Sequence, residues 1–306
     1  MKNLLLLLVF YSAASAAQVK PDSVYRDGNK YITLKDVVLD NKLNIPAFIN
    51  RIQNDTGFYK AFRNLHILNF TAINDIRMLD RDKELQASLH SRTMQSYKDG
   101  CRTMQVADET TSGDIYNGDR EFNYYTAEMY ASLFFTKGKV CGENNIVKGI
   151  EFSTAGKSGM EKHKAQLKML FFNPGRKITG LPFMSSKTAI YDDEMADRYD
   201  MDIDWELHSG VNCYVFRQKV KKGREGDVVV DEMNTWFNDS TFAIVARDYS
   251  LSYDAGVYDF KVAMEVEMTT FGELTVPALI RYNGNWKAIF KKRERGVFTA
   301  TLSDFH

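Results

Sequence analysis

Residue types that build metal and nucleophile sites are scarce in this chain. It has 306 residues, with five His and three Cys, and its 40 Lys and Arg balance 40 Asp and Glu. The His residues lie far apart, and no His-Glu-x-x-His motif is present. Zero formal charge removes the bulk attraction that nucleic acid or an anionic membrane surface would exert. We therefore predict no metal, no cofactor, no catalytic residue and no nucleic-acid partner.

Sequence motifs for nucleotide binding and hydrolysis are also incomplete. Gly156-Lys157-Ser158 resembles the end of a phosphate loop, but Glu151 stands where that loop needs a glycine. No Gly-x-Ser-x-Gly motif is present. The acidic run from Asp192 to Glu206 could hold a hard cation, and Glu265 with Glu267 could supply a pair of carboxylates. At alternate positions of a strand, however, such acidic residues are expected to form the solvent-exposed face of a sheet.

The longest apolar run near the start is too short to cross a membrane. It covers Leu4 to Phe10 and is followed by small residues through Ala17, whereas a spanning helix needs roughly 20 apolar residues. This pattern predicts a signal peptide over residues 1–17, cleaved after Ala16 or Ala17. No Cys stands directly after the cleavage site, since the first is Cys101, so we expect a soluble periplasmic or secreted protein without a lipid anchor.

Export makes a disulfide chemically reasonable. Cys101 and Cys141 stand beside turn residues, whereas Cys213 lies within Asn212 to Phe216, which reads as a buried strand. We predict a bond between Cys101 and Cys141, with Cys213 as a small core residue. Three free thiols remain the alternative.

Hydrophobic periodicity predicts about three helices. Asn44 caps the first, Pro46 suits its first turn, and its apolar stripe continues past Gly57 to Phe62. The other two helices are predicted over Thr126–Phe135 and Met160–Phe172.

Alternation with period two predicts strands over much of the remaining chain. Early strands are expected near 67–79, 85–97 and 102–108, with a hairpin turn at Asp99-Gly100. Strands are also predicted from Met201 onward, including 260–268, 274–282, 286–292 and 297–302. The fold class is mostly β (α+β): a large curved antiparallel sheet, or unclosed half-barrel, with covering helices. We predict one domain over residues 18–306, most regular in 200–306.

One strand carries a face rich in methionine and aromatic residues. Phe260, Val262, Met264, Val266 and Met268 alternate with polar residues. Methionine is flexible and polarizable, so a concave face of this kind suits loosely shaped acyl chains. The alternative is an ordinary core covered by the helices.

Several segments of the C-terminal half resemble one known group of proteins. They are Met201–Asp204, Asn212–Phe216, Val228–Glu232, Thr235–Phe237, Arg247–Tyr249 and Tyr258–Phe260. Over roughly residues 200–290 this pattern resembles the outer-membrane lipoprotein-sorting (LolA-like) superfamily. The resemblance implies an unclosed barrel in a Gram-negative cell envelope, whose concave side, lidded by helices, holds acyl chains. The chain is considerably longer than a typical carrier, so binding of a hydrophobic ligand is expected rather than lipoprotein transfer.

The preferred hypothesis is therefore an exported, monomeric binding protein for a hydrophobic small molecule, lipid or lipoprotein. The expected ligand-binding residues are Phe260, Val262, Met264, Val266, Met268 and Trp236. Two alternatives stay open: a hydrolase of an envelope polymer that uses acids from Asp192 to Asp204 or Glu265, and an envelope scaffold protein whose sheet edge pairs with a partner.

Overall fold

The computed structural model describes residues 23–40, 43–147, 168–178, 184, 186–254, 258–288 and 292–306. The predicted signal peptide lies outside these residues, as does most of the helix predicted over Met160–Phe172. Residues 168–172 of that prediction are helical.

The described part of the chain is dominated by strands. They are β1 (Ser23–Asp27), β2 (Lys30–Leu34), β3 (Phe70–Leu79), β4 (Leu85–Lys98), β5 (Cys101–Ser112), β6 (Val140–Cys141), β7 (Tyr199–His208), β8 (Val211–Val220), β9 (Val230–Asn238), β10 (Ile244–Asp254), β11 (Tyr258–Phe271), β12 (Leu274–Ala288) and β13 (Glu294–Ser303). The predicted mostly-β class is confirmed.

All of these strands belong to one sheet, which does not close on itself. Its order is β1-β2-β7-β8-β9-β10-β11-β12-β13-β3-β4-β5-β6, with β1 and β6 at the edges. Every named pair except one is antiparallel; β2 runs parallel to β7, pairing Ile32 with Met201. The parallel pair departs from the predicted antiparallel pattern because the β1–β2 hairpin joins the sheet beside a strand much later in the chain. The predicted unclosed half-barrel is confirmed.

Alternation places apolar side chains on one face of the sheet, which we call the inner face. Along β11, Val262 and Met264 are buried while Lys261 and Glu265 are exposed. One row of buried side chains crosses nine neighbouring strands. Its members are Met201, Gln218, Met233, Tyr249, Met264, Tyr282, Phe298, Ile76 and Leu89. This row forms the middle of the core.

Helices cover the inner face. They are α1 (Asp36–Asp40), α2 (Ile45–Asn54), α3 (Gly57–Asn64) and α4 (Tyr125–Phe134), with a one-turn helix at Asp193–Ala196 and 3-10 turns at Leu65–Ile67 and Glu225–Asp227. The Asn44 side chain accepts a hydrogen bond from the amide of Ala47, as the capping prediction requires. The continuous helix predicted past Gly57 is wrong, because the chain leaves helical geometry at Asp55 and the Asp55 carboxylate accepts a hydrogen bond from the Gly57 amide.

Aromatic side chains attach the helices to the sheet. Phe48 of α2 lies 5.5 Å from Phe237 of β9, ring centre to ring centre. Tyr130 of α4 lies 4.9 Å from Phe298 of β13. From the helical segment 168–172, the Phe171 carbonyl accepts a hydrogen bond from the Tyr249 hydroxyl at 2.5 Å. The core therefore consists of helix side chains inserted onto the inner face.

Two turns show how local residues set the strands. Asp99 and Gly100 have φ of 53° and 71°, the left-handed pair of a tight β-hairpin, so the turn predicted there is confirmed. The separate strands predicted over 274–282 and 286–292 are instead one strand, β12. Gly284 permits this because the Tyr282 ring lies where a side chain at 284 would stand.

Cys101 and Cys141 form the predicted disulfide, and they are also register partners between β5 and β6. Cys213 is a buried free thiol, as predicted.

Candidate ligand-binding face

Five of the six predicted ligand-binding residues lie along β11. Phe260, Val262, Met264 and Val266 point to the inner face and are at most 3% exposed. Met268 follows a register shift at Glu267 and is half-buried against the edge of the core. The structure brings these side chains onto one face.

Trp236 does not join them. Its neighbours Thr235 and Phe237 are buried on the inner face, so alternation sends Trp236 to the opposite, outer face. There its indole donates a hydrogen bond to Glu206, and its ring lies 4.5 Å from the His208 ring. A ligand site that combines Trp236 with Phe260 is therefore not assembled.

The interior between helices and sheet is closely packed in the described residues. A cavity of about 20 Å³ is lined by Tyr130, Phe134, Phe171, Met264 and Tyr282, among others. A second cavity, of about 30 Å³, lies beside Phe62 and Gln95. Voids of this size hold about one or two waters. The hollow expected over the concave side is occupied here by aromatic rings of the helices.

A larger open groove lies at one rim of the inner face. It has a volume of about 450 Å³ and runs between α2 and the turn that joins β9 to β10. Its lining residues are Leu43, Asn44, Ala47, Phe48, Asn50, Arg51 and Phe242. Because Phe48 and Phe242 each contact Tyr214 of the inner face, the groove reaches the end of the core.

Phe242 holds an unusual backbone conformation in this groove. Its φ is 57°, in the left-handed region, which a bulky residue enters at a cost of roughly 1–2 kcal/mol. The turn is fixed by Asn238, whose backbone carbonyl accepts from the Phe242 amide at 2.9 Å and whose side chain accepts from the Thr241 amide at 2.8 Å. A glycine would suit this position better. The Phe242 ring instead stacks on Tyr214 and lies 5.4 Å from the Arg51 guanidinium carbon.

Arg247 and Gln218 are two of several buried polar residues on the inner face. Arg247 is 6% exposed, and its Nε donates a hydrogen bond to the Thr235 hydroxyl at 2.9 Å. Gln218 is fully buried, and neither atom of its amide has a hydrogen bond of standard geometry in the described structure. Sequence reasoning missed both as candidates. The signal was present, since each stands at an inward position between apolar residues of its strand.

A further polar cluster lies near the disulfide. Arg102 donates hydrogen bonds to Glu143 and Thr136, and Thr136 donates to Gln95 at 3.1 Å. His66 Nδ1 lies 3.0 Å from the Glu143 carboxylate. Burial lowers the pKa of His66 to about 4 despite the attraction of Glu143. Burial would raise the pKa of Glu143, but the hydrogen bonds and charges of Arg102 and His66 together exceed this effect, so the pKa is lowered.

The acidic run considered as a cation site instead surrounds an arginine on the outer face. Arg217 of β8 lies 3.4 Å from Asp202, 3.3 Å from Asp204 and 2.6 Å from Glu206. Glu265, a candidate hydrolytic acid, pairs with Arg281 at 3.0 Å. Within the described residues, no cluster of His, Cys, Asp and Glu has the arrangement of a metal site.

Comparison with known proteins gives weak structural likenesses. No protein-family model and no curated protein matches the chain. A crystal structure of a DUF1329 family protein from Desulfovibrio piger is 12% identical, with a TM-score of 0.24, and covers 83% of this chain and 92% of that one. A structure from Vibrio parahaemolyticus, described as an outer membrane lipoprotein-sorting protein domain, is 11% identical, with a TM-score of 0.27, and covers 82% and 91%.

The second of these carries the lipoprotein-sorting description that the C-terminal sequence pattern resembles. At these identities and TM-scores the likeness assigns neither a ligand nor an activity to this chain. In the described residues, no helix is both long and apolar enough to span a membrane.

Proposed function

We propose that this protein binds a hydrophobic small molecule or lipid between the inner face of its sheet and the covering helices, in the bacterial cell envelope. The observation that carries the proposal is the groove of about 450 Å³ between α2 and the β9–β10 turn, which opens onto the aromatic end of the core. Phe242 keeps its ring in that groove at the cost of a left-handed backbone. Such a cost is expected where a side chain serves binding.

The packed interior determines how a ligand enters. The cavities of about 20 and 30 Å³ beside α3 and α4 are too small for an acyl chain, so we expect the covering helices to move away from the sheet as the ligand enters. Aromatic rings such as those of Phe48 and Phe58 are among the buried helix side chains that contact the sheet. An acyl chain can take the place of these rings without exposing the inner face to water.

Cellular location and partner follow from the sequence as proposals. A signal peptide over 1–17 delivers the chain to the periplasm or the medium, where the Cys101–Cys141 bond is stable. The protein works there as a monomer, and its ligand is a free lipid or the acyl chains of a lipoprotein.

Solvent extraction tests the proposal most directly. The protein is recovered from a bacterial periplasm, extracted with organic solvent, and the extract is analysed by mass spectrometry. We expect a hydrophobic compound in stoichiometric amount. The absence of any such compound, together with no uptake of the neutral dye N-phenyl-1-naphthylamine, would overturn the proposal.

The substitution Phe242→Gly tests whether the ligand enters through this groove. Glycine accepts the left-handed backbone, so folding is expected to be retained while the ring is lost. Dye affinity should fall about fivefold, the equivalent of ~1 kcal/mol for a lost aromatic contact. Phe271→Ala is the matched control, since Phe271 stands beside another hairpin turn and is 37% exposed. If the two variants bind the dye with equal affinity, the ligand does not enter through this groove.

A second function, the scaffold, is favoured by the outer edge of β5. β6 pairs with β5 only at Cys101 and Arg102, and no other strand of the described residues pairs along that edge. An unpaired edge can accept a strand from a partner. Val106, 55% exposed on β5, offers a test: Val106→Lys should abolish stoichiometric co-purification of one envelope protein. If no protein co-purifies with the wild type, the scaffold function is excluded.

A further inference from the structure

Arg247 is a buried cation without a carboxylate partner among the described residues. Its one hydrogen bond runs from Nε to the Thr235 hydroxyl. The centre of the Phe58 ring lies 4.4 Å from the guanidinium carbon of Arg247. The ring attracts the cation, but it does not provide the two terminal nitrogens with a hydrogen-bond acceptor. Buried charges in proteins are normally paired. Arg217 on the outer face, with three carboxylates around it, shows the usual arrangement.

A second guanidinium lies close by. Arg176 packs on the Tyr191 ring at 5.4 Å and donates a hydrogen bond to the Asp55 carbonyl at 3.3 Å. Burial lowers the pKa of Arg176, and repulsion from Arg247 adds to this, whereas Tyr191, Asp55 and Asp192 act in the opposite direction.

Nearby polar groups leave bonding capacity unused. The fully buried Gln218 amide has no hydrogen bond of standard geometry, and its polar neighbour is the Tyr191 phenol, with which it shares a weak hydrogen bond. Asp55 is the carboxylate whose field reaches both Arg176 and Tyr191. Two guanidinium groups thus face two carboxylates, Asp55 and Asp192. Among the described residues neither carboxylate forms an ion pair with Arg247, so the terminal nitrogens of Arg247 remain available to an anion.

This cluster has a defined position relative to the groove. Arg247 pairs with Thr235, and Phe237, which contacts Phe48 at the groove, stands two residues further along β9. Two residues of a strand span about 7 Å. A ligand whose polar end reached Arg247 would therefore place the following carbons beside Phe48 and Phe242.

We propose that the hydrophobic ligand is an anionic amphiphile whose carboxylate or phosphate headgroup binds Arg247, Arg176 and Gln218, with its chain directed toward the groove. This inference rests on the proposed function and specifies the ligand of the same site. A guanidinium fork binds carboxylate and phosphate with two parallel hydrogen bonds, and the Gln218 amide supplies a further donor.

Binding is measured for three single-chain probes that share a hexadecyl chain: hexadecanoate, hexadecanol and hexadecyltrimethylammonium. Wild-type protein should prefer hexadecanoate over hexadecanol by about 10- to 100-fold, as expected for hydrogen bonds to a charged group. Dihexadecanoyl phosphatidic acid and inorganic phosphate alone are the further probes. Tighter binding of the phosphatidic acid identifies a phosphate headgroup, and tighter binding of hexadecanoate a carboxylate.

The substitution Arg247→Met removes the charge and keeps an apolar side chain of similar reach. We expect the preference for hexadecanoate over hexadecanol to fall to about onefold while hexadecanol still binds. Arg247→Lys should retain part of the preference. This variant therefore distinguishes loss of the charge from a folding defect of the Met variant. Arg281→Met, which removes an exposed arginine of β12, is the matched control and should leave the preference unchanged.

Each outcome separates the two proposals. Equal wild-type affinity for hexadecanoate and hexadecanol would overturn the headgroup assignment and leave ligand binding standing. Failure of all three hexadecyl probes to bind would overturn the proposed function. Binding of inorganic phosphate as tight as that of phosphatidic acid would show an anion site unconnected with a chain, which also contradicts the inference.

Discussion

Phe242 and Arg247 each occupy a position where another residue type would cost less free energy. Glycine fits the left-handed turn at 242, and an apolar residue fits the inward position at 247. Both lie at the same end of the inner face: Phe242 lines the groove, and Arg247 pairs with Thr235 nearby. Departures from local preference concentrate at functional sites, so their proximity supports a binding site there.

His66 makes stability depend on pH. Its pKa falls from 6.5 to about 4 on folding because the imidazole is buried, so the unfolded chain binds a proton more readily between these values. Above pH 6.5 His66 is neutral in both states and does not reduce the free energy of unfolding. As the pH falls from 6.5 toward 4, the free energy of unfolding decreases by up to about 3 kcal/mol. Urea unfolding at pH 7 and pH 4.5 measures this loss.

The variant His66→Gln provides the control, since glutamine does not titrate. Its free energy of unfolding should change less between pH 7 and 4.5 than that of the wild type. Parallel pH profiles for the two proteins would contradict the assignment of this titration to His66. The lowered pKa of Glu143 acts at lower pH, where its contribution is lost as the carboxylate protonates.

At the scale of elements, the disulfide holds β6 on the edge of β5. The two strands share the register pair Cys101–Cys141 and one further pair, and the bond closes a separation of 40 residues. Replacing both cysteines with Ser should lower the free energy of unfolding by about 4 kcal/mol in the chain-entropy model. Urea denaturation of oxidised wild type and the double variant measures the difference.

Cys213 supplies the comparison for that experiment. It is buried and unbonded, so Cys213→Ala tests the loss of a small core side chain alone. Reductant should lower the stability of Cys213→Ala as much as that of the wild type. Insensitivity of the wild type to reductant would show that the bond does not form in solution.

Element boundaries were predictable where one residue controls the backbone and unpredictable where tertiary contacts do. Asn44 and Asp99-Gly100 fixed the start of α2 and the β4–β5 turn through local hydrogen bonding and φ. The division of α2 from α3 depends on Asp55, and the continuity of β12 depends on Tyr282 packing over Gly284. These contacts have no periodic signal in the sequence.

At the scale of the whole molecule, β13 joins the two halves of the sheet. It pairs with β12 on one side and with β3 on the other, so the last strand in the chain lies in the middle of the sheet. Phe298 of β13 contacts Tyr282 at 4.7 Å and Tyr130 at 4.9 Å. Neither half can bury its inner face fully without this strand.

The substitution Phe298→Ala tests this coupling. It should cost about 3–5 kcal/mol, as for other buried phenylalanines. Tryptophan fluorescence, which reports mainly on β7, β9 and β12, should shift together with far-ultraviolet circular dichroism in a single transition. Two separated transitions would show that the halves unfold independently and would contradict the predicted single domain.

The sequence by itself determined most of the strands, the buried side of β11 and the cysteine pair, because alternation and turn chemistry act within a few residues. Tertiary structure decided which side chains meet across the sheet. It separated Trp236 from Phe260, filled the expected hollow with rings such as Phe48 and Phe171, and left Arg247 facing no carboxylate. These outcomes depend on register and on helices brought from distant parts of the chain, which a period of two residues does not encode.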